Sequence, residues 1–198
     1  KGVGLTIGAS SLGVLASAIL GEPGVEYNPY KFIYLGSPFS ENNNIFATRK
    51  ALGINNLEKL RAAAGLRIGA QSVGHVQYIR GRLFAWLLDL KDAKFVVGYA
   101  GTELDIALER GEIDARAVAV DTVSTSEGYQ KLVHFHAIVE IPKGHRPRQF
   151  ANLPELESFV RSAIESQVML MSRVFWGVGT LIYLPRAHRR SSPRYPAS

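Results

Sequence analysis

The 198 residues are enough for one sizeable domain or two small lobes, and 46% hydrophobic with 20% charged residues describes an ordinary globular chain. No apolar run approaches the roughly 18 residues of a membrane-spanning helix, and the absence of cysteine excludes a disulfide framework, a thiolate metal site and a cysteine nucleophile together. The net charge of +6 would suit nucleic acid, but Arg186, Arg189, Arg190 and Arg194 place four of those charges at the extreme end, so no nucleic-acid partner is expected.

The start, Lys1-Gly2-Val3-Gly4, has no targeting pattern, so either a signal has been removed or the chain begins inside a fold. Leu5 to Gly8 is predicted as a strand, and Ser10 or Ser11 caps a helix running to about Leu20, stopped by Gly21-Glu22-Pro23-Gly24. Phe32 to Leu35 and Ile45 to Thr48 read as strands. Asn56 caps a helix over Leu57 to Ala64 that Gly65 closes. Leu66 to Ala70 is the next strand, followed by a helix with Val76, Ile79, Leu83 and Leu87 on its apolar stripe. Phe95 to Val97 leads through a glycine turn into a helix with Leu104, Ala107 and Leu108 on one face. Ala115 to Val120 and Leu132 to Ile141 are further strands. Leu156 to Met171 carries one long amphipathic helix, and Pro185 to Ser198 reads as a disordered basic tail. Alternating strands and helices argue an α/β protein with mostly parallel sheets, which bind ligands beyond the carboxyl ends of their strands.

Three strand-to-helix turns carry the chemistry. In Gly8-Ala9-Ser10-Ser11-Leu12-Gly13 the Lys and Ser/Thr of a nucleotide-hydrolysing P-loop are replaced by Val14 and Leu15, leaving helix packing or simple anion binding. Gly69-Ala70-Gln71-Ser72-Val73-Gly74-His75 offers free N–H groups, a hydroxyl and an imidazole at a helix start, where a carboxylate is favoured. Its Gly-x-x-Ser-x-Gly is one residue off the nucleophile elbow, so a serine hydrolase using Ser72 and His75 is the competing reading. In Gly98-Tyr99-Ala100-Gly101-Thr102-Glu103 the glycines allow close ligand approach and Thr102 can cap the helix. His134 and His136 share a strand face, with Glu140 the nearest supporting carboxylate. They read as ordinary strand histidines, and neither a metal nor a cofactor is expected.

The runs Leu66-Arg67-Ile68-Gly69-Ala70-Gln71-Ser72-Val73-Gly74-His75 and Phe95-Val96-Val97-Gly98-Tyr99-Ala100-Gly101-Thr102, followed by Glu109-Arg110-Gly111-Glu112-Ile113-Asp114, resemble the Bug family of tripartite tricarboxylate transporter receptors. The resemblance runs from about Leu5 to Gly179. It implies a two-lobed type II periplasmic binding protein, a non-enzyme that closes on a small carboxylated solute, works as a monomer in the periplasm after its signal peptide is removed, and partners a membrane transporter. It also implies that Ser72, Val73, Gly74 and His75 take one carboxylate, that Tyr99, Ala100, Gly101 and Thr102 line the same lobe, and that Asp114 sits near the cleft. Ala9, Ser10 and Ser11 would face them from the other lobe. Residues 1–48 and 138–184 would form the first lobe, 49–137 the second and 185–198 the tail. Relative to the family pattern the first lobe is incomplete, and Leu184-Pro185-Arg186-Ala187-His188 departs from the family's Pro-Pro-Gly turn. An intracellular binding module with a basic tail is the remaining alternative.

Overall fold

In the computed structural model of the chain, residues 7–11, 13–21, 23–38, 42–177 and 179–185 are described. They belong to two compact units, residues 1–40 with 178–198 and residues 41–177. The basic tail lies outside the described residues beyond Pro185.

The smaller unit contains β1 (Gly8–Ser11), α1 (Gly13–Leu20), β2 (Phe32–Gly36) and, from the far end of the chain, β8 (Thr180–Pro185). Its sheet has the order β1-β8-β2 and is antiparallel throughout. Phe32 stacks on Tyr183 with ring centroids 4.6 Å apart, but Ile19, Ile33 and Leu35 are exposed. Leu181 is this unit's one buried hydrophobic residue among those described.

The larger unit is a three-layer sandwich. Its sheet, in the order β5-β4-β6-β3-β7, comprises β3 (Asn44–Arg49), β4 (Arg67–Gly69), β5 (Lys94–Val96), β6 (Ala115–Ala119) and β7 (Val133–Val139). Successive strand residues face opposite sides, so on β3 Phe46 enters one core cluster while Ile45 and Ala47 enter the other. The first cluster is covered by α2 (Leu57–Ala62), α3 (Val76–Leu87) and α7 (Ala163–Gly177). The second is covered by α4 (Glu103–Arg110), α5 (Val120–Ser124) and α6 (Glu127–Leu132). Fully burying Phe46 or Phe84, whose rings lie 5.5 Å apart, contributes about 1.5 to 3 kcal/mol each. Gly69 lets α4 pack tightly on β4, since a Cβ there would collide with Ile113 Cδ1 and Leu104 Cδ2.

The sequence reading holds for α2, where Asn56 Oδ1 accepts from Lys59 N at 2.8 Å, and for α4, which buries Leu104, Ala107 and Leu108 before Gly111 ends it in the left-handed region. Four features differ. Neither sheet is mostly parallel: the smaller is antiparallel and the larger is mixed. Only β4–β5 and β4–β6 are parallel, because β3 runs antiparallel to both its neighbours. The first strand is Gly8–Ser11, not Leu5–Gly8, so Ala9, Ser10 and Ser11 lie in a strand opposite Ile182, Leu181 and Thr180 rather than in a turn. The long C-terminal helix is split: Leu156–Phe159 is a short 3-10 turn, and α7 starts afresh where Ser162 and Glu165 form a reciprocal capping box. Finally, the expected lobe boundaries at 48/49 and 137/138 cut through β3 and β7, whereas these strands hydrogen-bond to each other within the larger unit.

His136 on β7 is 3% exposed, with Nε2 2.7 Å from Thr48 Oγ1. Burial, and secondarily the charge of His134, pushes its pKa from 6.5 down to about 4. Between those pH values the unfolded chain takes up a proton that the folded unit refuses. The stability this group contributes is therefore complete above pH 6.5 and lost as pH falls towards 4, by about 3 kcal/mol. Replacing His136 with Gln should flatten that part of the stability–pH curve in urea titrations; an unchanged slope would contradict this assignment.

Candidate functional site

Strands β4 and β5 run parallel, and the two loops leaving their carboxyl ends are tied together: Ala70 N donates to Val96 O and Gly98 N to Gln71 O, each at 2.9 Å. Ser72–His75 and Gly98–Thr102 are thus neighbours at one edge of the larger unit.

The first loop is a tight turn. His75 N donates to Ser72 O at 3.1 Å, and Gly74 sits at φ +88°, as the third position of a type II turn requires. The imidazole of His75 then caps α3, its Nδ1 accepting from Gln77 N at 3.3 Å, which leaves the proton on Nε2. Burial first, then the charge of Arg80, lowers the His75 pKa. The N–H groups of Ser72, Val73, Gly74, Val76 and Tyr78 have no partner among the described residues, and the first turn of α3 contains no acid. Of the four expected carboxylate donors, His75 is already spent through its N–H. The serine hydrolase reading needs His75 to activate Ser72, yet no hydrogen bond joins their side chains among the described residues.

The second loop differs electrostatically. Glu103 folds back so that its Oε2 accepts from Ala100 N at 2.7 Å, placing a carboxylate at the amino end of α4. Thr102 makes no capping bond with its side chain, contrary to the sequence reading. Tyr99 donates its hydroxyl to Glu112 Oε2 at 3.4 Å and packs against the core beside α4. Gly101, at φ +38°, is exposed.

Asp114 lies elsewhere. It precedes β6 level with Arg67, at the amino end of β4, whereas Ser72 follows the carboxyl end. Its carboxylate accepts from Arg67 N at 3.0 Å and from Nε and Nη2 at 2.8 Å each, with Arg49 at 3.9 Å. The Arg67 hydrogen bonds hold its carboxyl below the usual range despite burial. The carboxylate of Asp114 is thus engaged by Arg67, and the second loop reaches this neighbourhood only through Tyr99, by way of Glu112 and the Arg67 charge. His134 and His136 gather no metal-binding set among the described residues, and Glu140 is taken by Arg146.

Sequence reasoning missed Arg80. It stands at the i+4 position between Val76 and Phe84, on the core face of α3, and is only 6% exposed, whereas Ile79, assigned to the apolar stripe, is 48% exposed. The visible signal was a charge at helical spacing within that stripe.

No family model matches the chain, and no curated protein matches it in sequence. Solved structures do. MatC from Rhodopseudomonas palustris with bound malate superposes at a TM-score of 0.59 and 20% identity, over 91% of this chain and 57% of that one. The periplasmic binding protein BugD gives 0.65 at 17% identity, over 93% and 58%. The chain has the fold of part of a periplasmic binding protein. A TctC solute binding protein from Polaromonas agrees, with a TM-score of 0.54 at 15% identity over 85% of this chain and 61% of that one. The chain thus spans less than two thirds of the length of these binding proteins.

If Asp114 is structural, Asp114→Asn should cost roughly 1 to 3 kcal/mol of stability, as expected for charge-assisted hydrogen bonds, while leaving carboxylate binding unchanged. Lost affinity at unchanged stability, measured by urea titration and calorimetry, would return Asp114 to the ligand site.

Proposed function

We propose that the protein is a periplasmic receptor for a small organic acid, a di- or tricarboxylate or a related carboxylate, which it delivers to the membrane subunits of a tripartite tricarboxylate-type transporter. The observation that carries this reading is the amino end of α3, where unpartnered N–H groups of a glycine turn open at the carboxyl edge of a parallel strand pair with no acid in the first helical turn. Such a terminus attracts an anion through its dipole and its free donors together. The bound malate of MatC supports a carboxylate as the anion. Ser72, Val73 and Gly74 form the cradle, and Tyr99 and Gly101 flank it across the Gly98–Gln71 hydrogen bond. Among the described residues no helix is long and apolar enough to cross a membrane.

Calorimetric titration with malate and a panel of di- and tricarboxylates tests the reading. Ser72→Ala should weaken binding by about one hydrogen bond, roughly 0.5 to 1.5 kcal/mol. Gly74→Val should cost more, because a β-branched residue does not hold φ +88° and the turn re-aims its donors. Failure of every carboxylate to bind, or undiminished affinity in Gly74→Val, would overturn the proposal.

A further inference from the structure

Among the described residues Arg80 and Arg116 are the buried arginines of the larger unit, and Arg146 and Arg173 are half-buried. Arg116 reaches Asp105, Arg146 reaches Glu140, and Arg173 bonds Glu155 Oε1 at 2.6 Å and Glu157 Oε2 at 2.8 Å. Arg80, more deeply buried than Arg146 or Arg173, has no carboxylate partner among the described residues. Its Nη1 donates to Asn44 Oδ1 at 2.7 Å, its Nε is buried without a partner, and its guanidinium lies 5.2 Å from the centre of the Trp176 ring. A buried charge supported by an amide and a ring, with no counter-ion, is costly to maintain. Burial accordingly lowers the Arg80 pKa to about 10, which still leaves it charged at neutral pH.

The environment of Arg80 is built to hold it in place. Asn44 donates its amide N–H to Asn42 O at 2.8 Å, which fixes Asn44 Oδ1 as the acceptor, and Asn42 donates in turn to Trp176 O at 3.0 Å. Helix side chains lean towards the amino end, and the Arg80 charge is felt at His75, the cap of α3. Asn44 is the first residue of β3 and pairs with Ala119 and Val139, the last residues of β6 and β7, so Arg80 reaches the same sheet edge as the Ser72–His75 turn.

We propose that Arg80 is the fixed positive charge of the α3 site, pairing with a carboxylate of the bound acid through its unpartnered guanidinium N–H groups while the helix-start N–H groups hold the same anion. This rests on the receptor reading for the identity of the ligand, but the anion site itself can be tested apart from it. The recognition chemistry is that of a planar carboxylate against a planar guanidinium.

The test uses the 198-residue chain and three probes: acetate, malate and malate diamide. In the parent, acetate and malate should move the ¹H–¹⁵N resonance of Arg80 Nε, assigned by its loss in Arg80→Lys, and the diamide should not. Arg80→Met should fold at least as stably as the parent without ligand, since an unpaired buried charge is removed, yet bind malate about 30-fold or more weakly. Arg80→Lys should recover part of that affinity. If Arg80→Met does not fold, the Nε titration alone decides. An unmoved Nε resonance, or malate binding in Arg80→Met within about threefold of the parent, overturns the proposal. Acetate shifting Nε while no di- or tricarboxylate binds would sustain the anion site and sink the receptor reading instead.

Discussion

β3 is the strand from which the larger unit takes its geometry. It hydrogen-bonds to β6 on one side and β7 on the other, is buried from Asn44 to Thr48, and sends alternate side chains into both core clusters. Being antiparallel to both neighbours, it brings its amino end to the edge where the parallel strands end. The polar residues that open it therefore land beside the loops of β4 and β5. Asn43 extends the same anchoring: its Oδ1 accepts from Ile141 N at 2.8 Å, its amide donates to His145 O at 2.8 Å, and its carbonyl accepts from Val120 N at 2.9 Å. Three consecutive asparagines thus tie the ends of β6, β7 and α7 to one edge.

Local chemistry made much of this fold legible. Caps and glycine stops located α2 and α4 because each is decided within a few residues: Asn56 and Gly111 do the same work in any context. The turn after β4 was readable for the same reason, since Gly74 at φ +88° demands a residue without a side chain. Strand direction was not readable. Nothing within Asn44–Arg49 distinguishes a parallel from an antiparallel partner, and the pairing depends on residues near 118 and 138.

The site was half legible. The N–H groups of a glycine turn can be foreseen from sequence; whether they are free cannot. His75 loses its N–H to Ser72, and Ala100 loses its own to Glu103, a residue three places later whose carboxylate reads as an ordinary first-turn acid. Asp114 follows Arg-Gly-Glu-Ile and looks placed for a loop, yet β6 begins at the opposite end of the sheet, where Arg67 claims it. Arg80 was hidden because a stripe of apolar residues directs attention to its hydrophobic members. Its missing counter-ion shows only when every neighbour is in place.

The capping carboxylate of Glu103 has a consequence for how the edge is felt from outside. Two adjacent helix starts, joined through Gly98 and Gln71, present opposite signs: α4 supplies its own anion, whereas α3 has none and keeps Arg80 below its first turn. Charges of opposite sign placed side by side cancel at a distance, and their residual field fades faster than that of a single charge, faster still in salt. Such an edge does little to steer an approaching ion from afar. It discriminates only at contact, by which end of a molecule is turned towards which helix.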